Sequence, residues 1–370
     1  LLTRVYREGT RLRLRRRALA AGSGLAAVLL VVVSLVLAGS DTPTAVRTVD
    51  QPTSTTATTA TSGPAAGAPA PTTTTPTPSS TTAAARYRGQ LIAFVRTGDQ
   101  HNQQGNSVYT VRPDGTDERL LFAEPGPVSA LAWSPDGQWL AYNFDGDVYR
   151  IRSDGTGRER LTTTAGLDLH PAWRPDGQAV LYTTDQGGIW RLVELSLAPG
   201  RTSRPLPVDS VSAQAAASWS PDAQHIAVAR DADGRSAVYV ADISTGASRR
   251  LTDRTGAAEH AGEWSPDGTL VLFTAPAGFG WDNLYIASVK DPHRWREISD
   301  ANHTGAHRSP RWSPDGQFIV EWWMQGGPGN RCCMSPPEVD VNTANGQHVR
   351  RVALSGAWPT WSPGNSGAGL

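Results

Sequence analysis

Lysine is almost missing from this chain. Lys290 is the only one, and arginine carries the remaining cationic charge. Seven arginines (Arg4, Arg7, Arg11, Arg13, Arg15, Arg16 and Arg17) crowd into residues 1–17 against a single acid, Glu8. The formal net charge of the whole is zero, so the body beyond them is mildly acidic. A nucleic-acid partner normally needs a basic face, and this body has no evident one. Cysteine is equally scarce: the only two are adjacent, Cys332 and Cys333. They give neither a zinc spacing nor a disulfide framework, and a bond between neighbours would bring their Cα atoms closer than disulfide geometry prefers. The pair is read as free or packed thiols. The repeat region also contains no G-x-S-x-G nucleophile elbow and no phosphate-binding glycine loop opening a helix, which removes ordinary serine-hydrolase and nucleotide chemistry.

What is present begins with a long uncharged run. Ala18 to Ala38 contains no charged residue and ends in the strongly apolar stretch Leu25–Leu37. About 20 helical residues cross a bilayer core, so residues 18–40 are expected to span it. With the arginines ahead of the span, residues 1–17 form a cytoplasmic tail and everything after residue 40 lies outside the cell membrane. The competing expectation is a signal peptide cleaved after Val36-Leu37-Ala38, giving a secreted product. Ser40 stands where a lipoprotein would need cysteine, so lipidation is excluded. Residues 41–86 consist almost entirely of Thr, Ala, Pro, Ser and Gly, with no aromatic residue before Tyr87. Too little apolar side chain is available to offset the entropy of ordering, and the segment is expected to be a disordered stalk averaging about 40 Å end to end.

From residue 87 the sequence becomes periodic. Trp133–Gly137 (WSPDG), Trp173–Gly177 (WRPDG), Trp219–Ala223 (WSPDA), Trp264–Gly268 (WSPDG), Trp312–Gly316 (WSPDG) and Trp361–Gly364 (WSPG) are six copies of one motif. Their tryptophans are 40, 46, 45, 48 and 49 residues apart, which suits one four-stranded unit each. Proline presets the first corner of a turn. The aspartates Asp136, Asp176, Asp222, Asp267 and Asp315 can accept bonds from their own backbone, and glycine takes the left-handed corner. Apolar strand-like runs follow, such as Trp139–Tyr142, Ala179–Tyr182, His225–Val228, Leu270–Phe273 and Phe318–Glu321. Third strands (Asp147–Ile151, Ala237–Val240, Asn283–Ile286), tight turns (Ser153–Thr156, Ser244–Gly246) and outer strands (Glu159–Thr162, Arg249–Thr252) complete a meander.

Such a sheet cannot bury both faces alone, so the units must stack, with each motif tryptophan between neighbours. The periodic region opens with three strand-like runs lacking a motif (Leu91–Val95, Ser107–Val111, Glu118–Phe122) and stops just after the sixth motif. The predicted fold is therefore an all-β, six-bladed propeller over residues 87–366, in which the C-terminal segment around Trp358–Trp361 supplies the inner strand of the blade begun by the N-terminal strands. The W-S-P-D-G turn followed by an apolar strand, with D-G-T and R-L-T later, resembles the TolB-type, WD-repeat-like propeller and also the propellers of prolyl oligopeptidases. The resemblance covers about residues 88–364. The stalk stands where TolB itself has an α/β domain, so the resemblance implies the propeller architecture.

Polar candidates gather where the inner strands begin: Asp168 and His170, Glu259 and His260, and His303, His307 and Arg308. Imidazole and carboxylate from three blades at the channel mouth could bind a small ligand or a divalent metal. The TolB-like propeller lyases that act on pectin fragments hold a metal on channel histidines. That resemblance would imply calcium or manganese on His170, His260 and His307, although nothing in the fold requires a cofactor. Glu263 and Arg311, each one residue before a motif tryptophan, are expected to pair across adjacent blades. Phe279-Gly-Trp281 and Trp322-Trp323 could form a carbohydrate or protein contact, and the irregular stretch 325–337 is a candidate contact loop. The leading expectation is a membrane-anchored binding module for a protein or carbohydrate of the cell envelope, a recognition device rather than an enzyme. The alternatives are a metal-dependent polysaccharide lyase and an envelope signal sensor.

Overall fold

The computed structural model describes residues 89–97, 106–208, 211, 216–232, 235–253, 260–276, 282–299, 305–325 and 336–363, all within one compact unit. The expected tail, span and stalk lie outside the described residues. Among the described residues every regular element is a strand. In chain order these are β1 (Ile92–Thr97), β2 (Asn106–Val111), β3 (Arg119–Glu124), β4 (Val128–Trp133), β5 (Trp139–Phe144), β6 (Asp147–Arg152), β7 (Glu159–Arg160) and β8 (Asp168–Trp173). They continue with β9 (Ala179–Thr184), β10 (Arg191–Ser196), β11 (Ser203–Pro205), β12 (Ala217–Trp219), β13 (His225–Ala232), β14 (Arg235–Asp242), β15 (Ser248–Arg250) and β16 (His260–Trp264). The last eight are β17 (Leu270–Pro276), β18 (Asp282–Ser288), β19 (Trp295–Glu297), β20 (Gly305–Trp312), β21 (Phe318–Gln325), β22 (Glu338–Thr343), β23 (His348–Leu354) and β24 (Gly356–Trp361).

Six antiparallel four-stranded sheets result. β4–β7, β8–β11, β12–β15, β16–β19 and β20–β23 form the first to fifth blades. The closing blade has the order β24-β1-β2-β3, so its innermost strand comes from the opposite end of the chain. Inner strands touch in a circle, from β4 through β8, β12, β16 and β20 to β24 and back to β4. This is the six-bladed ring expected from the repeat.

The motif makes the turn from each inner strand to the next. In the first copy Ser134 N–H donates to Trp139 O at 2.8 Å, Trp139 N–H returns to Ser134 Oγ at 2.9 Å, and Gly137 takes φ 68°. Arg174 keeps the backbone part of this turn without the hydroxyl and pairs with Glu194 at 3.2 Å. Ala223 holds the left-handed corner at φ 56°, a conformation costing a non-glycine residue about 1 kcal/mol. In the sixth copy the same two bonds cross from one end of the chain to the other: Ser362 N–H donates to Leu91 O at 2.7 Å and Leu91 N–H to Ser362 Oγ at 2.8 Å.

Between blades lies apolar packing. The motif tryptophans Trp133, Trp173, Trp219, Trp264, Trp312 and Trp361 are all nearly buried, each in the cluster joining its blade to a neighbour. The outer turns interlock as well. A Cβ on Gly246 would stand 1.7 Å from Pro207 O of the preceding blade, and one on Gly346 1.3 Å from Ile298 O. These two left-handed glycines permit backbone contact between blades that a side chain would block.

Candidate functional site

The inner strands wall the channel, and they are not straight. Register slips between Ser129 and Ala132, Leu169 and Ala172, His260 and Glu263, and Arg308 and Arg311, with a matching irregularity opposite β24. At the third residue before the tryptophan, Ala130, His170, Ser309 and Trp358 adopt φ values of 53°, 55°, 46° and 49°. A bulge of this kind re-aims side chains and bends the strand, and here it recurs around the ring.

On the side where inner strands begin, Asp168 is fully buried and accepts Thr164 Oγ1 at 2.8–2.9 Å; desolvation raises its pKa. Asn143 of the first blade clips this strand to its own, accepting His170 N–H at 2.8 Å and donating to Asp168 O at 2.9 Å. The His170 ring lies 3.2 Å from Thr183 Oγ1, and desolvation, with the positive charge of Arg311, pushes its pKa down to about 4, so it is neutral at physiological pH. His260 and Arg308 converge on one buried carboxylate: Asp282 pairs directly with the Arg308 guanidinium, and His260 Nε2 lies 3.8 Å away. His307 turns into its own blade, with Nδ1 2.8–2.9 Å from both Glu321 oxygens, while Asn342 donates to Glu321 at 2.6 Å.

Glu259, His303, Phe279, Trp281 and the two cysteines lie outside the described residues. Among the described residues no group of three or more His, Cys, Asp or Glu side chains is placed to hold a metal ion. His170, His260 and His307 turn to a hydroxyl and two separate carboxylates, so this donor set does not fit a shared ion.

The motif end of the channel is a cavity of about 280 Å³ lined from all six blades. The residue before each tryptophan faces it: Ala132, Ala172, Ser218, Glu263, Arg311 and Thr360. The expected ion pair between Glu263 and Arg311 does not form. Glu263 instead accepts the backbone N–H of Trp312 at 2.6 Å, as Ser218 accepts that of Trp264 at 3.2 Å. An inner strand leaves its channel-side amides unpaired, and these side chains satisfy two of them. Desolvation raises the Glu263 pKa, against an opposing pull from Arg311.

Several residues with evident roles were missed by sequence reasoning. Asp282 opens β18 as Asp147 opens β6; both are buried acids paired with an arginine, Asp147 with Arg160 at 2.7 Å. Acid at the first position of a third strand was the available signal. Trp358, half-buried, sits 5.8 Å between ring centroids from Trp322 at the junction of the fifth and closing blades. Nothing in the local sequence pairs those two.

An all-β ring of six four-stranded blades, each turned by the same tryptophan motif around an open axis, defines a β-propeller. Residues 201–367 match the TolB beta propeller domain family, and residues 115–149 match the WD domain, G-beta repeat. Among solved structures, the chain is similar to TolB from Acinetobacter baumannii, at 20% identity over 75% of this chain and 67% of that one, with a TM-score of 0.62. It is also similar to a putative TolB from Agrobacterium tumefaciens, at 20% identity over 73% and 91%, with a TM-score of 0.59. A chain of a nidogen/laminin complex shares the shape at 10% identity over 74% and 98%, with a TM-score of 0.56. Comparison with curated protein sequences gives no match. Residues 201–367 thus carry the TolB-type match, and the ring as a whole shares the fold of the TolB structures.

Proposed function

We propose that this chain is a recognition module: a TolB-type propeller, held outside the membrane by residues 18–40 and a stalk, that binds a protein of the cell envelope at the mouth where its inner strands begin. The observation that carries the reading is the cluster of His260, Arg308 and Asp282 across the fourth and fifth blades. Arg308 and His260 remain about one-third exposed while sharing a carboxylate that is nearly buried. Asp147 and Arg160 pair within one blade, whereas this cluster joins two blades where their inner strands begin, a placement that suits polar contact with a partner. The propeller type supports a protein partner; an envelope carbohydrate is the other chemistry the mouth admits.

Cross-linking in envelope fractions tests this. The wild-type chain should capture one defined protein, and His260→Ala and the paired variant Arg308→Ala/Asp282→Asn, which leaves no buried carboxylate uncompensated, should lose it while keeping a near-wild-type melting temperature. Capture unchanged in both variants would remove the mouth as the binding surface. Fractionation tests the tether separately: the full-length chain should stay with the membrane, and a soluble product beginning at Gly39 would replace the anchor with a cleaved leader.

A further inference from the structure

The opposite mouth of the channel carries two charges that the ring does not need. Six residues occupy equivalent places before the motif tryptophans, which makes the repeat its own control. Four blades pack around the axis with Ala132, Ala172, Ser218 and Thr360 at this position; only Glu263 and Arg311, on adjacent strands, are charged. The amide that Glu263 satisfies has its counterpart satisfied by a serine hydroxyl in the preceding blade, so a carboxylate is not required for that task.

Arg311 is half-buried, and among the described residues its guanidinium makes no hydrogen bond or ion pair. Glu263 Oε1 is likewise without a hydrogen bond among them. Glu263 and Arg311 attract one another through space but make no direct contact, and partly desolvated charges cost free energy where their matching is incomplete. Arg311 also depresses the pKa of His170, which stands on the second blade, opposite the fifth, so its charge acts across the lumen.

We propose that this mouth binds a small zwitterion of amino-acid size, its carboxylate on Arg311 and its ammonium toward Glu263. A simple anion would meet the Glu263 carboxylate, and a simple cation would meet the guanidinium; a ligand carrying both charges satisfies the two together. The cavity of about 280 Å³ lies just below the range of drug-sized pockets, roughly 300–1,000 Å³, and so admits a ligand of few heavy atoms. The motif tryptophans that wall it offer apolar surface to a side chain. This site is at the other end of the channel from the proposed protein-binding mouth, and the two stand or fall separately.

Calorimetric titration of the full chain in mild detergent decides the matter, with glycine, L-alanine, L-leucine, L-glutamate and L-phenylalanine as probes and acetate and methylammonium as half-ligands. At least one amino acid should bind saturably, at least tenfold more tightly than either half-ligand. Arg311→Ala and Glu263→Gln should each weaken it tenfold or more, while Arg308→Ala at the far mouth leaves it unchanged. Glu263→Gln keeps an acceptor for Trp312 N–H and should melt like the wild type. Absence of binding by all five amino acids, acetate binding as tightly as the best of them, or wild-type affinity in Arg311→Ala would each overturn the proposal.

Discussion

Replacing Ser362 with alanine tests the closure of the ring at its seam. In Ser134→Ala the lost hydroxyl is the acceptor of Trp139 N–H, five residues away; in Ser362→Ala it is the acceptor of Leu91 N–H, at the other end of the chain. Ser134 and Ser362 are 2% and 6% exposed, so water does not readily replace either hydroxyl. Leaving a buried donor unsatisfied costs about 1–3 kcal/mol. If the seam is built like an internal turn, the two variants should lose similar stability. In a domain of this size each kcal/mol lowers the melting temperature by roughly 2–4 °C. The assay is denaturant unfolding of the full chain in detergent, read by tryptophan fluorescence, beside a thermal melt. A loss above 1 kcal/mol for Ser134→Ala together with no measurable loss for Ser362→Ala would refute closure through the chain ends. Removing residues 356–370 should do much more, since β24 and the buried Trp361 leave with them and β1 becomes an open edge.

Gly346→Ala should destabilise by more than 1 kcal/mol, because its Cβ would collide with Ile298 O, whereas Gly200→Ala, with open space around it, should cost less in a parallel melt. Burial and the nearby Glu321 and Glu338 carboxylates push the Asp340 pKa up to about 7. The folded state then holds a proton the unfolded chain has lost between about pH 4 and 7, so this residue's contribution to stability falls as pH rises through that window. Asp340→Asn should flatten that slope in melts run from pH 5 to 8. Calcium or manganese is expected to leave the melting temperatures of the wild type, His170→Ala and His260→Ala unchanged; a metal-dependent rise lost in both variants would restore a shared ion at the channel.

The ring was legible because its signal is chemical and repeated. Proline, aspartate and glycine fix a turn by their own backbone preferences, and six tryptophans at blade spacing need six gaps to fill. The seam followed from the same reading, since β1 to β3 lack a motif and the sixth motif lacks a following strand. The candidate site was legible only in part. His170, His260 and Arg308 do stand on inner strands near their beginnings, but neighbours on a bulged strand cannot be assigned to a face by alternation. Between Arg308 and Arg311 the register slips, and His307 turns to Glu321 inside the blade. The expected pairing of Glu263 with Arg311 failed for a related reason: neither residue's sequence neighbourhood reveals that the amide of Trp312 lies within reach of the carboxylate.

The seam also sets an order on synthesis. Strands β1 to β3 leave the ribosome before the other five sheets, yet the innermost strand of their own sheet is made after all of them. Until β24 emerges, β1 has no inner neighbour, and the earliest part of the domain waits with an unpaired, largely apolar flank. The ring therefore closes last at the blade it began first, and a chain on which β24 is still unmade needs that flank covered to keep it from joining another molecule.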